Sequence, residues 1–283
     1  MKLLELAGSL VHVVTAGKPD NPPVIISSGL GGAWFDWEPV VELLRDHYRV
    51  ICFDRPGTGL SPSSGTTPSL RTAVRELAAL AHGTGRPVTV IAHSMAAFQA
   101  EALARIHPEL VRGLVLVDPS YEPGARVRLR LSAVLTPVYQ LTGTVLETTR
   151  LARLIGPWAR HRILAQVSRR GEIATPQTVR RVYGRGAVLA AVLTENQAYN
   201  EMAADLAELR LRRPFPDVPL VVLTALGDLG GPEQERAWAA GHAELAAMSP
   251  RGHQVELPGH LHMLQLDRPD EIAGAVAEVM SGA

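Results

Sequence analysis

Six short stretches of this chain read as strands, most of them apolar almost without interruption. They are residues 22–29 (PPVIISSG), 48–57 (YRVICFDRPG), 86–94 (RPVTVIAHS), 111–120 (VRGLVLVDPS), 217–228 (DVPLVVLTALGD) and 253–259 (HQVELPG). A strand with one wet face alternates apolar and polar residues. A strand that is apolar at nearly every position must be covered on both faces, as the strands of a parallel sheet are. The intervening segments have helical periodicity: Val40, Val41, Leu43 and Leu44 in 36–46, then LRTAVRELAALAH after Ser69, then MAAFQAEALARIH up to Pro108, and DRPDEIAGAVAEVM near the end. Ser69 stands where a helix N-cap is expected, and Gly83 where that helix should stop. Strands alternating with helices predict a doubly wound, mostly parallel α/β sheet. At 283 residues, 46% of them hydrophobic, the chain is long enough to fill such a core and carry an insertion.

One region breaks the alternation. From Tyr121 to about Arg213 only helical patterns occur, and Thr194 and Gln197 have the spacing of a capping box. The expected organisation is a core of residues 1–120 and 214–283, with 121–213 a helical lid inserted between two strands.

Ser94 lies where the strand VTVIAH gives way directly to a helix. In an open α/β sheet, function gathers at the carboxyl ends of the strands. A serine in a sharp strand-to-helix turn projects its hydroxyl there, with the positive end of a helix behind it. Such a turn brings two backbones together, so the residues two before and two after must be small; they are Ala92 and Ala96. The competing reading of Ser94 is an ordinary helix N-cap. Alternation along the strand turns His93 away from Ser94 and into packing, and Cys52 reads as a small buried hydrophobe.

The chain resembles the α/β-hydrolase family, in its lid-bearing serine hydrolase branch, over essentially its whole length. Ala92-His93-Ser94-Met95-Ala96 is similar to the family's G-x-S-x-G turn with alanine for both glycines. SGLGG (28–32) is similar to its oxyanion loop, with Ser28 where the family has histidine. DRPGTGLS (54–61) matches D-x-x-G-x-G-x-S, and PGHLHMLQLDRP (258–269) is similar to the terminal histidine loop. The resemblance implies a catalytic triad in the order Ser, Asp or Glu, His. Ser94 would be the nucleophile and His262 the base, His262 being preferred to His260 for its spacing to Pro269. Asp228 would be the acid, at the end of the fifth of the six strands, with Asp118 one strand earlier as the alternative. The backbone amides of Leu30 and Met95 would form the oxyanion hole. Gly29, Gly31, Trp34 and His260 are the candidate substrate-binding residues, although Trp34, Phe35 and Trp37 can equally wall an acyl pocket or anchor the loop. No metal or organic cofactor is implied.

The implied activity is cleavage of an ester-like acyl bond through an acyl-enzyme, as in a carboxylesterase. A serine nucleophile in place of aspartate disfavours dehalogenase and epoxide-hydrolase chemistry. Thioesterase, lactonase and aminopeptidase remain alternatives, with Glu195 and Glu201 as possible holders of a substrate amine. A non-catalytic binding protein on the same scaffold is the alternative from another class.

Charge narrows the partners. Lys+Arg and Asp+Glu both number 28, so no global field favours nucleic acid or membranes. The single cysteine excludes an internal disulfide, and the N-terminus lacks a leader's apolar core. The expectation is a cytoplasmic protein with no membrane span and a small-molecule acyl substrate. Residues 119–217, however, hold 15 arginines, no lysine and 8 acids. One reading is a solvated face; the other is a lid that receives an anionic thioester, its acyl chain among Leu129, Leu131, Val134, Leu135, Val138 and Leu141.

Overall fold

The computed structural model describes residues 2–227 and 229–282. Eight strands form one sheet: β1 (Lys2–Leu6), β2 (Ser9–Ala16), β3 (Pro23–Ser27), β4 (Arg49–Phe53), β5 (Val88–His93), β6 (Val111–Val117), β7 (Leu220–Leu226) and β8 (Gly252–Pro258). The order is β1-β2-β4-β3-β5-β6-β7-β8, and β2 alone runs against the rest. The helices are α1 (Glu38–Leu44), α2 (Leu70–His82), α3 (Ala96–Ile106), α4 (Ser132–Thr148), α5 (Ala152–Val167), α6 (Pro176–Tyr183), α7 (Gly186–Arg212), α8 (Pro232–Ala246), α9 (Leu264–Asp267) and α10 (Pro269–Ser281).

The six expected strands are β3 to β8. The hairpin β1–β2 was not among them. Its turn is Ala7-Gly8, both at positive φ (50° and 90°), the two-residue geometry that matches the twist of the strands it joins.

Both faces of the sheet are covered, for the reason the apolar strands implied. Val88, Val90 and Ala92 of β5 pack with Leu77 of α2 and Leu103 of α3. Ile91, on the other face, packs with Val40 and Leu44 of α1 and with Ile272 and Val276 of α10. Ser69 caps α2 as expected, its Oγ accepting from the Thr72 amide at 3.2 Å.

Four helices, α4 to α7, lie between β6 and β7. Within them Thr194 caps nothing: it sits inside the 27-residue α7, donating its hydroxyl to Ala190 O at 2.7 Å. The capping-box spacing there is incidental, because the helix continues on both sides. A second expectation fails as well. Leu129, Leu131, Val134, Val138 and Leu141 are exposed and Leu135 is only half-buried, so these side chains do not enclose a chain-binding interior. The helical period is as read, but its apolar stripe points outward.

Candidate active site

β5 ends at His93, and the chain turns into α3 through Ser94 and Met95. Ser94 has φ 54°, a conformation that L-residues avoid and that persists where the surrounding structure imposes it. Two hydrogen bonds impose it here: Ser94 N donates to Val117 O and Ser120 N donates to Ser94 O, each at 3.1 Å. Ala92 and Ala96 are completely buried, as the close approach of strand and helix requires.

β6 ends one residue before Asp118, which is also at positive φ (39°). Its Oδ2 lies 2.5 Å from His262 Nδ1. Its Oδ1 accepts from the Ala225 amide and from Trp238 Nε1, both at 3.0 Å. Burial by itself would raise the carboxyl's pKa. The hydrogen bond and charge of His262, with Trp238 beside them, outweigh burial and hold Asp118 below its usual value. A buried carboxylate kept ionised against Nδ1 of His262 holds a proton on that nitrogen and so fixes the ring's tautomer. Asp228, the residue expected in this role, lies outside the described residues.

The SGLGG loop abuts the serine. A methyl group on Gly29 would stand 3.0 Å from Ser94 Cβ and 2.7 Å from His93 Nδ1, so only glycine lets the loop approach this closely. Leu30 is partly exposed and Met95 is buried. The aromatic residues after the loop anchor it. Trp37 Nε1 donates to Ser28 Oγ at 2.9 Å, and the Trp34 amide donates to Asp54 Oδ1 at 2.9 Å. Asp54 also accepts from the Leu60 amide and meets His12, which explains its place at the head of the DRPGTGLS turn.

His93 is buried on the α1/α10 face, as alternation required, yet it is not idle packing. Its ring packs against that of His262 at a tilt of 42° with centroids 4.5 Å apart, and its Nε2 donates to His262 O at 3.1 Å. Burial first, then the neighbouring His262, pushes its pKa down to about 3, so it is a neutral prop under the histidine loop. His260 turns elsewhere, to Pro258 O and Arg268, each at 3.1 Å.

Three residues to which the sequence analysis gave no role link the helical insertion to the SGLGG loop and the residues around it. Arg55 donates to the carbonyls of Ser28 and Gly29 and forms a buried pair with Glu195 of α7 at 2.6 Å. Tyr183 of α6 donates to Gly31 O at 2.8 Å. Arg160 of α5 bridges Asp36 at 2.6 Å and Glu172 at 2.5 Å, and donates to the Tyr183 hydroxyl. No motif marks these contacts, because each partner is remote in the chain.

Glu195 is thus committed to Arg55. Glu201 is committed to Ser132, accepting from its amide at 2.9 Å and its hydroxyl at 2.6 Å. Neither carboxylate is left to hold a substrate amine. A cavity of about 550 Å³ lies between α2, α4 and α7, lined by Arg55, Gln99 and Glu195 but by neither Ser94 nor His262.

The Arg160 bridge yields a stability prediction. Arg160→Ala leaves the fully buried Asp36 carboxylate without its cation, and losing one partner of such a pair costs about 3–5 kcal/mol. Urea unfolding should show a midpoint lowered accordingly; a change below about 1 kcal/mol would show that the Ala33 amide, which donates to Asp36 Oδ2 at 2.9 Å, suffices for Asp36.

Residues 24–275 match the Alpha/beta hydrolase family, and the chain belongs to that family. Among curated relatives it is 32% identical over 122 residues to "Putative carbamate hydrolase RutD" of Stutzerimonas stutzeri, an alignment covering 40% of this chain and 46% of that one. The chain thus spans about half the length of that relative. The protein of the same description from Pantoea ananatis is 24% identical over 258 residues, covering 89% of this chain and 85% of that one. Among solved structures, Cfl2 from Burkholderia cenocepacia superposes with TM-score 0.74 at 21% identity, covering 98% of this chain and 94% of that one, which is likeness of fold.

Proposed function

We propose that this chain is a serine hydrolase that cleaves ester-type acyl bonds through an acyl-enzyme on Ser94. His262 takes the Ser94 proton as the hydroxyl attacks the acyl carbon, then passes it to the leaving alcohol; a water activated in the same way completes turnover. Asp118 is the orienting acid. The backbone N–H groups of Leu30 and Met95 receive the oxyanion, a function that in other enzymes contributes about a hundredfold or more per donor. Residues 121–213 act as the lid over a core of 1–120 and 214–283. The observation that carries this reading is the serine at φ 54°, one strand from a buried Asp118 paired with the half-buried His262.

Carbamate cleavage is the second reading, favoured by the description shared by the relatives matched over 40% and 89% of the chain. The same residues serve it, since a carbamate also passes through a tetrahedral oxyanion at an acyl carbon. The amine-holding requirement of an aminopeptidase has lost its candidates, Glu195 and Glu201.

The discriminating experiment is a kcat/KM series of p-nitrophenyl acyl esters, from acetyl to decanoyl, beside p-nitrophenyl carbamates and acyl thioesters. Ester turnover should exceed carbamate turnover at equal leaving group. A carbamate preference of tenfold or more would move the assignment to the second reading. Absence of all turnover would favour a binding protein on the scaffold.

A further inference from the structure

The helix α4 is amphipathic in the wrong sense for a water-facing surface, and α5 beside it exposes large apolar side chains. A surface helix ordinarily buries its apolar stripe and shows charge to solvent. On α4 the buried residues are Ser132, Thr136 and Gly143, while Val134, Val138, Leu141 and Val145 are 50–67% exposed. No charged residue occurs in α4 before Glu147. On α5 the buried residues are Ala152, Gly156, Arg160 and Leu164, while the larger Leu154, Trp158 and Ile163 are 60–71% exposed. Scattered exposed leucines need no explanation, but large exposed apolar side chains concentrated on two consecutive, contacting helices mark a contact surface.

The charges around these stripes indicate what covers them. The ion pairs of the insertion use Arg55's partner Glu195 and, among its own arginines, Arg130, Arg160, Arg210 and Arg212. Arg126 and Arg128 before α4, Arg150 between the helices, and Arg153 and Arg162 on α5 are exposed and belong to no ion pair among the described residues. A second copy docking by two-fold symmetry would bring like-charged rims together, which disfavours it. No helix among the described residues is long and apolar enough to cross a membrane. An apolar stripe edged by unpaired arginines and a tryptophan has instead the composition of a helix lying in the plane of a bilayer interface.

We propose that the outward face of α4 and α5 docks on an anionic lipid surface. Its aliphatic side chains and Trp158 enter the boundary between headgroups and acyl chains, and the arginines meet anionic headgroups. This binding is independent of catalysis, so Ser94→Ala should retain it.

The test is cosedimentation of the full chain with vesicles of phosphatidylcholine and phosphatidylserine (7:3) and of phosphatidylcholine alone. Binding should be at least tenfold tighter to the anionic vesicles, weaken with salt, and shift the Trp158 emission to the blue, a shift that Trp158→Phe removes. Leu141→Glu with Leu154→Glu should weaken it by at least tenfold. Both side chains are exposed, so the thermal midpoint should not change. Equal binding to both vesicle types, or binding unaffected by the glutamates, would overturn the proposal. A concentration-dependent dimer that the glutamates dissociate, without vesicle binding, would overturn it in favour of a second copy of the chain.

Discussion

Ser94→Ala is expected to remove essentially all ester hydrolysis, lowering kcat by on the order of 10⁵ or more, with the fold retained. Ser94 is partly accessible, and among the described residues its side chain makes no hydrogen bond that holds the turn; the bonds that shape the turn belong to its backbone. Alanine tolerates φ 54° no better than serine does, so strain changes little between the two. Steady-state kinetics beside thermal unfolding is the check. Residual activity above a few per cent of wild type would show that another group attacks the substrate.

Asp118→Asn should lower kcat by at least about a thousandfold, because the amide can present an N–H to His262 Nδ1 and so favour the wrong tautomer. KM should change little, since Asp118 is buried behind the histidine. Asp228→Asn should cost far less. The comparison decides between the carboxylate that meets His262 at 2.5 Å and the one expected from the end of the following strand. A severe Asp228→Asn beside a mild Asp118→Asn would place the acid after β7 and reduce Asp118 to a structural hydrogen-bond acceptor. The two further donors on its Oδ1, Ala225 N and Trp238 Nε1, make a severe Asp118 effect the expected one.

The parallel part of the sheet was legible because its strands carry the composition of two-sided burial, which is local information. The β1–β2 hairpin was not, since its strands are half-wet and its turn uses Ala7 at positive φ, where glycine or asparagine would have signalled it. The strand-to-helix turn at Ser94 could be read from its own flanks, because steric crowding selects Ala92 and Ala96. The contact between Asp118 and His262 could be read only as one of two alternatives. Asp-Pro after a strand reads equally as a turn, and which carboxylate reaches His262 depends on loops that meet only in three dimensions. Periodicity located the apolar residues of α4 but carries no sign: the same stripe can face the core or the solvent. Arg55, Arg160 and Tyr183 escaped for a related reason, since a buried ion pair across more than a hundred residues leaves no local trace.

Those long-range contacts bear on the proposed mechanism. The SGLGG loop is held at three carbonyls, by Arg55 of the core, itself paired with Glu195 of the insertion, on Ser28 and Gly29, and by Tyr183 of the insertion on Gly31. If the Leu30 N–H receives the oxyanion as proposed, its peptide is preorganised by these contacts.

The central claim is that the reaction passes through a covalent acyl-enzyme on Ser94. Rapid mixing with a p-nitrophenyl ester, quenching in acid and mass spectrometry of the digested protein tests it directly. The account predicts a burst approaching one equivalent of p-nitrophenol where deacylation is slow, and an acyl group on the peptide containing Ser94. Full turnover with an acyl adduct on another residue, or a burst that persists in Ser94→Ala, would contradict it.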